Sequence, residues 1–242
     1  MSDKGYASPA DHSRRVHAMF AGIAVRYDLL NHLLSGNIDK RWRQRVVRNL
    51  MPILANPQML VLDVACGTGD LTLALAAVAS AKVVGSDFCR PMLSIAARKA
   101  ETNLAGIPFI EADALSLPFG NECFDAVTIA FGLRNLSSVD RGLVELRRIL
   151  KPGGQLAILE FSEPVIPGFR QMFAFYFSTL LPRIGGWISG ARGAYEYLPD
   201  SVSRFPNQRN LAKRMLESGF AAVSFENLTG GIAAIHLGMR SE

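Results

Sequence analysis

The chain has 242 residues, 49% of them apolar and 19% charged, with a formal net charge of +5. That is enough for one sizeable core, and one α/β domain over residues 1–242 is expected. No stretch reaches the roughly 18 to 20 uninterrupted apolar residues of a membrane span, and Met1 to Arg15 lack the apolar segment of a secretory signal, so a cytoplasmic protein is expected.

Three cysteines, Cys66, Cys89 and Cys123, show neither C-x-x-C nor a histidine-paired spacing, which predicts reduced thiols and no metal site. The basic excess gathers at Arg14-Arg15 and from Lys40 to Arg45 with Arg48, without the aromatic interleaving of common RNA-binding modules, so no nucleic acid partner is expected. A solvated helix face and a position next to an anionic membrane both remain open for these residues.

In chain order, Ala24 to Leu34 and Asp39 to Met51 read as amphipathic helices broken at Ser35-Gly36-Asn37, a helical N-terminal region over 20–55 that covers the ligand site. Tyr27 and Asp28 are the polar positions of interest there. Met59 to Ala65 is a nearly unbroken apolar run, the pattern of a strand covered on both faces, and its one polar residue is Asp63. Gly67 and Gly69 permit positive φ and close approach of a ligand to the main chain, and a helix from near Asp70 presents free N–H groups. A dinucleotide fingerprint from Gly67 needs a third glycine at position 72, where Thr72 stands, and Asp63 and Asp70 put negative charge where a pyrophosphate would lie. A ligand carrying an ammonium and a sulfonium suits those carboxylates better than NAD or FAD. The pattern D-x-x-x-G-x-G after a first strand resembles motif I of the S-adenosylmethionine-dependent methyltransferases.

Helices over Leu71 to Ala79 and Pro91 to Asn103 flank a second strand, Lys82 to Asp87, whose terminal Asp87 is placed to hold ribose hydroxyls. A third strand from Ile107 runs into Asp113, whose carboxylate can accept from an adenine amino group while Ala114 lines the ring. Phe124 to Phe131 is the fourth strand. Ser137-Ser138 opens a helix carrying Leu143, Leu146 and Leu150, with Lys151-Pro152-Gly153-Gly154 as its stop, and Gln155 to Phe161 is the fifth strand. The segment from Phe161 to Ile188 carries Phe169, Phe173, Phe175, Tyr176, Phe177 and Trp187 and reads as a cap, within a helical insertion over 163–200 that suits a large apolar substrate. A helix from Asn207 to Ser218 and strands Ala221 to Asn227 and Ile232 to Gly238 finish the chain. Such alternation predicts a doubly wound, mostly parallel sheet.

The run Val61 to Leu71, together with Phe131-Gly132-Leu133-Arg134-Asn135, Leu150-Lys151-Pro152-Gly153-Gly154, Glu160-Phe161-Ser162, Leu181-Pro182-Arg183-Ile184-Gly185 and Asn227-Leu228-Thr229-Gly230-Gly231, resembles the menaquinone and ubiquinone biosynthesis C-methyltransferase family. The resemblance covers about Phe20 to Gly238. It implies a Rossmann-like class I methyltransferase fold with a mostly parallel seven-stranded sheet, an antiparallel last strand and a helical cap. It also implies methyl transfer from S-adenosylmethionine to a ring carbon of a polyprenyl quinol: demethylmenaquinol generally, and 2-methoxy-6-polyprenyl-benzoquinol in ubiquinone-making bacteria. Thr68, Asp87, Asp113 and Ala114 match the family's cofactor positions, with Asp63, Gly67 and Gly69 beside them. Ala130 departs, standing where some members have a serine.

Such chemistry needs a cation for the developing oxyanion and a base for the phenol proton. Arg134, expected at the end of the fourth strand, is the candidate cation, and Asn135 its orienting partner. An arginine paired with Asp140 is the structural alternative. His236, Tyr195 and Glu160 stay open as bases. Peripheral contact with the cytoplasmic membrane face and a homodimer are compatible with this reading. The rival readings are an O-methyltransferase of a small phenol and a non-catalytic cofactor-binding module.

Overall fold

The computed structural model describes residues 9–103, 106–166 and 192–241. The apolar stretches around Val61 and Ile129 become inner strands of a seven-stranded sheet, because a strand covered on both faces must be apolar on both. The strands are β1 (Leu60–Val64), β2 (Lys82–Asp87), β3 (Phe109–Glu111), β4 (Phe124–Ala130), β5 (Leu150–Phe161), β6 (Phe220–Leu228) and β7 (Ala233–Arg240). Their order is β3-β2-β1-β4-β5-β7-β6. Neighbours from β3 to β5 pair in parallel, and β7 runs antiparallel to both β5 and β6. The mostly parallel seven-stranded sheet with an antiparallel last strand is as the sequence predicts.

The helices are α1 (Pro9–Leu34), α2 (Ile38–Asn49), the single turn α3 (Met51–Leu54), α4 (Asp70–Ala76), α5 (Arg90–Asn103), α6 (Val139–Ile149), α7 (Arg192–Arg204) and α8 (Gln208–Glu217). Helix α6 begins where a hydroxyl was expected to start it: Ser138 is the N-cap and accepts from the Arg141 amide. Helix α8 is capped in the same way by Asn207. Two apolar clusters sandwich the sheet. One gathers Leu143, Leu146 and Ile149 of α6 with Leu211 and Met215 of α8, and the other gathers Trp42, Val46 and Val47 of α2 with Leu71 and Leu75 of α4.

Three boundaries differ from the sequence reading. Helix α1 already runs from Pro9, well before Ala24. The run Lys151-Pro152-Gly153-Gly154 lies inside β5, whose pairing to β4 shifts register between Phe124 and Ala126. Gly153, at φ +74°, bends the strand there without ending it. Strand β3 stops at Glu111, so Asp113 and Ala114 lie in the turn that follows it. The aromatic cap from Phe169 to Trp187 lies outside the described residues.

The carboxyl edge of the sheet and its cavity

The site is built where the parallel strands end. Between the strand ends and α1 lies a cavity of about 1050 Å³, mouth included. Neighbouring strands sit about 4.8 Å apart, so β1 and β2 set Asp63 and Asp87 side by side, and the turn after β3 brings Asp113 to the same cavity. Four carboxylates line the cavity, Asp63, Asp70, Asp87 and Asp113, against one guanidinium, Arg43. That surplus repels phosphates and suits a cationic ligand.

Asp63 is 1% exposed, and its two oxygens accept from the Thr72 and Thr128 hydroxyls, each at 2.6 Å. Thr128 faces it directly from β4 in the register of the sheet. Thr72, the residue that excluded a dinucleotide glycine, thus has its own use as a buttress. Burial raises the Asp63 pKa to about 6, and the two hydroxyls only partly oppose that shift.

Asp87 fastens two loops at once: Oδ2 accepts from the Gly67 amide and Oδ1 from the Cys89 amide, both at 2.8 Å. Burial pushes its carboxyl above the usual range, with the amide hydrogen bonds opposing. Gly67 and Gly69 have φ of +57° and +84°, the left-handed turn expected of them, and a Cβ on Gly69 would stand 3.0 Å from the Cβ of Ala96. Burial likewise raises the Cys66 thiol well above its ordinary value, which keeps it protonated and a poor nucleophile. Asp113 is exposed and accepts from the Leu115 amide at 2.9 Å, while Ala114 is buried behind it.

Thr68 donates its hydroxyl to Asp28 of α1. Lys99 of α5 bridges Asp28 at 2.9 Å and Asp70 at 2.5 Å. Burial works against the Lys99 charge, but the two carboxylates outweigh it and hold the ammonium above its ordinary pKa. From α2, Arg43 pairs with Asp39 and reaches Asp70 at 3.8 Å, and its guanidinium lies 5.7 Å from the Phe131 ring. His32 of α1 meets Asp39 at 2.8 Å and Asp70 at 3.5 Å. Thr68, its hydroxyl proton committed to Asp28, lines the cavity. Lys99 and Arg43 were missed in the sequence; Asp28 stood out there only as a polar position among leucines.

The turn after β4 is arranged differently. Ala130 ends the strand, Phe131 takes φ +57°, and Arg134 and Asn135 sit on a short 3-10 turn, Leu133–Asn135. Arg134 does not line the cavity. Its guanidinium donates to Glu160 at 2.7 Å and to the Phe131 carbonyl at 2.6 Å, and lies 5.2 Å from the Phe161 ring. The Arg134 and Glu160 side chains are 6% and 1% exposed. Asp140, the alternative partner, pairs with Arg214 instead.

Asn135 does line the cavity. Its amide donates to the Phe131 carbonyl at 3.1 Å, and its side-chain oxygen accepts from Tyr197 of α7 at 3.2 Å. Burial holds the Tyr197 phenol above its ordinary pKa, so it stays a donor. His12 of α1 bonds the Asn135 main-chain carbonyl through Nε2 at 3.1 Å; a carbonyl only accepts, so Nε2 carries the proton.

Of the three residues held open as bases, Glu160 is committed to Arg134. His236 is buried on β7, donates Nε2–H to the Gln208 carbonyl at 2.8 Å and is held neutral by burial, away from the cavity lining. The side chain of Tyr195 lies outside the described residues.

The sequence matches the ubiE/COQ5 methyltransferase family over residues 9–240. A demethylmenaquinone methyltransferase of Thermus thermophilus is 51% identical over 92% of this chain and all of its own length. A ubiquinone/menaquinone biosynthesis C-methyltransferase of a Geobacter species is 43% identical over 96% of this chain and 98% of its own. Among solved structures, a [4+2]-cyclase superposes with a TM-score of 0.70 over 95% of this chain and 96% of its own at 18% identity. An S-adenosylmethionine-dependent methyltransferase of Thermotoga maritima gives 0.64 over 93% of this chain and its whole length at 19% identity. At those identities the structural likeness speaks for the fold alone.

Proposed function

Since the chain belongs to the ubiE/COQ5 methyltransferase family, we propose that it is a demethylmenaquinone methyltransferase, transferring a methyl group from S-adenosylmethionine to the ring carbon of a polyprenyl quinol. Demethylmenaquinol is the principal acceptor, and 2-methoxy-6-polyprenyl-1,4-benzoquinol is the acceptor in hosts that make ubiquinone. The observation that carries this reading is the row of strand-end carboxylates on an acidic cavity, which fits a cationic nucleoside.

Asp113 and Ala114 take the adenine end, Asp87 the ribose, and Gly67, Gly69, Thr68 and Asp63 the amino-acid end, in the order in which the sheet sets out its strands. S-adenosylmethionine supplies a methyl already activated by its sulfonium. The chain's task is alignment of the acceptor and control of its charge. In this reading Asn135, facing the cavity and steadied by Tyr197, touches the acceptor ring. Arg134 is a positioning residue: it fastens the Phe131 carbonyl and Glu160 and so fixes the turn that carries Asn135. A ring carbon becomes nucleophilic when the neighbouring phenol loses its proton, which a quinol can do and an oxidised quinone cannot.

Among the described residues no helix is long and apolar enough to cross a membrane. A cytoplasmic enzyme touching the inner membrane face only peripherally fits a prenylated acceptor. We propose that the enzyme is a homodimer, which light scattering would read as twice the mass of one chain.

The test of the activity supplies methyl-labelled cofactor with demethylmenaquinol or with its oxidised form and locates the label by mass spectrometry. Label on the ring carbon, from the reduced form alone, is expected. Equal rates with both redox forms, or label on oxygen, would replace the reading with O-methylation.

A further inference from the structure

Between α1 and α7 lies a second opening, about 1190 Å³ with its mouth included, to which the reading above gives no use. Its floor is one face of α1, where Val16, Met19 and Ile23 follow at spacings of three and four and so stand side by side. Gly22 adjoins them, and among the described residues no atom lies within 4 Å of where its Cβ would stand. The opposite wall is polar: Tyr197, Asp200 and Arg204 of α7, the last two paired at 2.7 Å.

The groove and the cofactor cavity are neighbours. Val16 lines both, and two residues of the groove, His12 and Tyr197, hydrogen-bond Asn135, which lines the cavity.

Resting on the quinol reading, we propose that this groove is the channel for the acceptor's prenyl tail, with the ring passing Tyr197 to reach Asn135. Val16 is already buried within the chain, and Met19 and Ile23 are partly exposed; a compact phenol would leave those two side chains uncovered, whereas an isoprenoid covers them. From Val16 to Ile23 the helix advances about 10 Å, the length of about two isoprene units. Further units extend past Ile23, the last residue of α1 that lines the groove. Tail length therefore raises affinity over the first two units and then stops mattering.

The test fills the channel from a position where the fold tolerates it. Gly22→Phe replaces a glycine within a helix, which does not weaken the helix. The quantity read is the ratio of kcat/KM for a 1,4-naphthoquinol bearing two isoprene units to that for the tail-less ring. It falls about tenfold in Gly22→Phe, the loss expected when burial of about two methylene groups is forfeited, and it falls in the same direction in Met19→Ser. Calorimetric titration with S-adenosylhomocysteine confirms that each variant is folded.

An unchanged ratio in both variants overturns the channel. So does a change seen only when cofactor binding is lost, since the groove would then serve packing within the chain. A parent enzyme that methylates neither quinol overturns the functional reading itself, and that result comes from the parent before any variant is made.

Discussion

The two halves of the sheet's carboxyl edge use buried carboxylates in opposite ways. On the β1 and β2 half, Asp63 and Asp87 are held by hydroxyls and main-chain amides, and both line the cavity. On the β4 and β5 half, Glu160 is held by a guanidinium, and the pair lies behind the cavity wall. Neutral donors share a carboxylate without cancelling its charge, so Asp63 keeps a field that a cationic ligand feels. An ion pair spends its field internally and shapes the turn. Both halves looked ligand-facing in the sequence, since both end an apolar strand in a charged motif.

The largest effect expected from this difference is at Arg134. Removing one partner of a buried pair strands the other charge, so Arg134→Ala should destabilise the fold by about 3–5 kcal/mol in urea denaturation. The double replacement Arg134→Met, Glu160→Leu should recover most of that loss. A stable Arg134→Ala protein that binds cofactor but cannot turn over would return Arg134 to the oxyanion role first expected of it.

Asp63 gives a smaller effect, of a different kind. Its folded pKa, about 6, lies above the unfolded value near 3.9. The contribution of the protonated group is therefore fully present below about pH 4 and lost as pH rises through 6, a fall of up to about 3 kcal/mol in the ligand-free protein. Asp63→Asn should flatten that fall in a pH series of thermal melts. A cationic ligand beside Asp63 favours its ionised form, so in the parent cofactor affinity should climb between pH 5 and 7. Equal slopes in parent and variant would remove Asp63 from the account.

The smallest effect is at Lys99, a half-buried residue whose pairs are partly screened. Lys99→Met should cost about 1 kcal/mol of stability, while weakening S-adenosylhomocysteine more than 5′-methylthioadenosine, which lacks the amino-acid end. Equal weakening of both would mean that the Asp28–Thr68 bond has no part in holding the amino-acid group.

The sequence by itself determined the strands, the glycine turn and the row of aspartates. Those depend on properties a single residue or a short spacing carries: apolar continuity, positive φ at Gly67 and Gly69, and a carboxylate at or just past each of the first three strands. It also put the start of α6 at Ser137-Ser138, of which Ser138 is the cap, because a cap is satisfied within three residues. Only the tertiary structure decided which charges meet. Thr68 and Asp28 are 40 positions apart, Lys99 and Asp28 71, and Arg134 and Glu160 26. No local pattern marks such partners, because a side chain several ångströms long pairs with whatever the packing of helix on sheet brings within reach. The same packing joined Tyr197 to Asn135 and opened the groove beside them, and it turned Arg134, the charge that stood out most in its motif, away from the cavity.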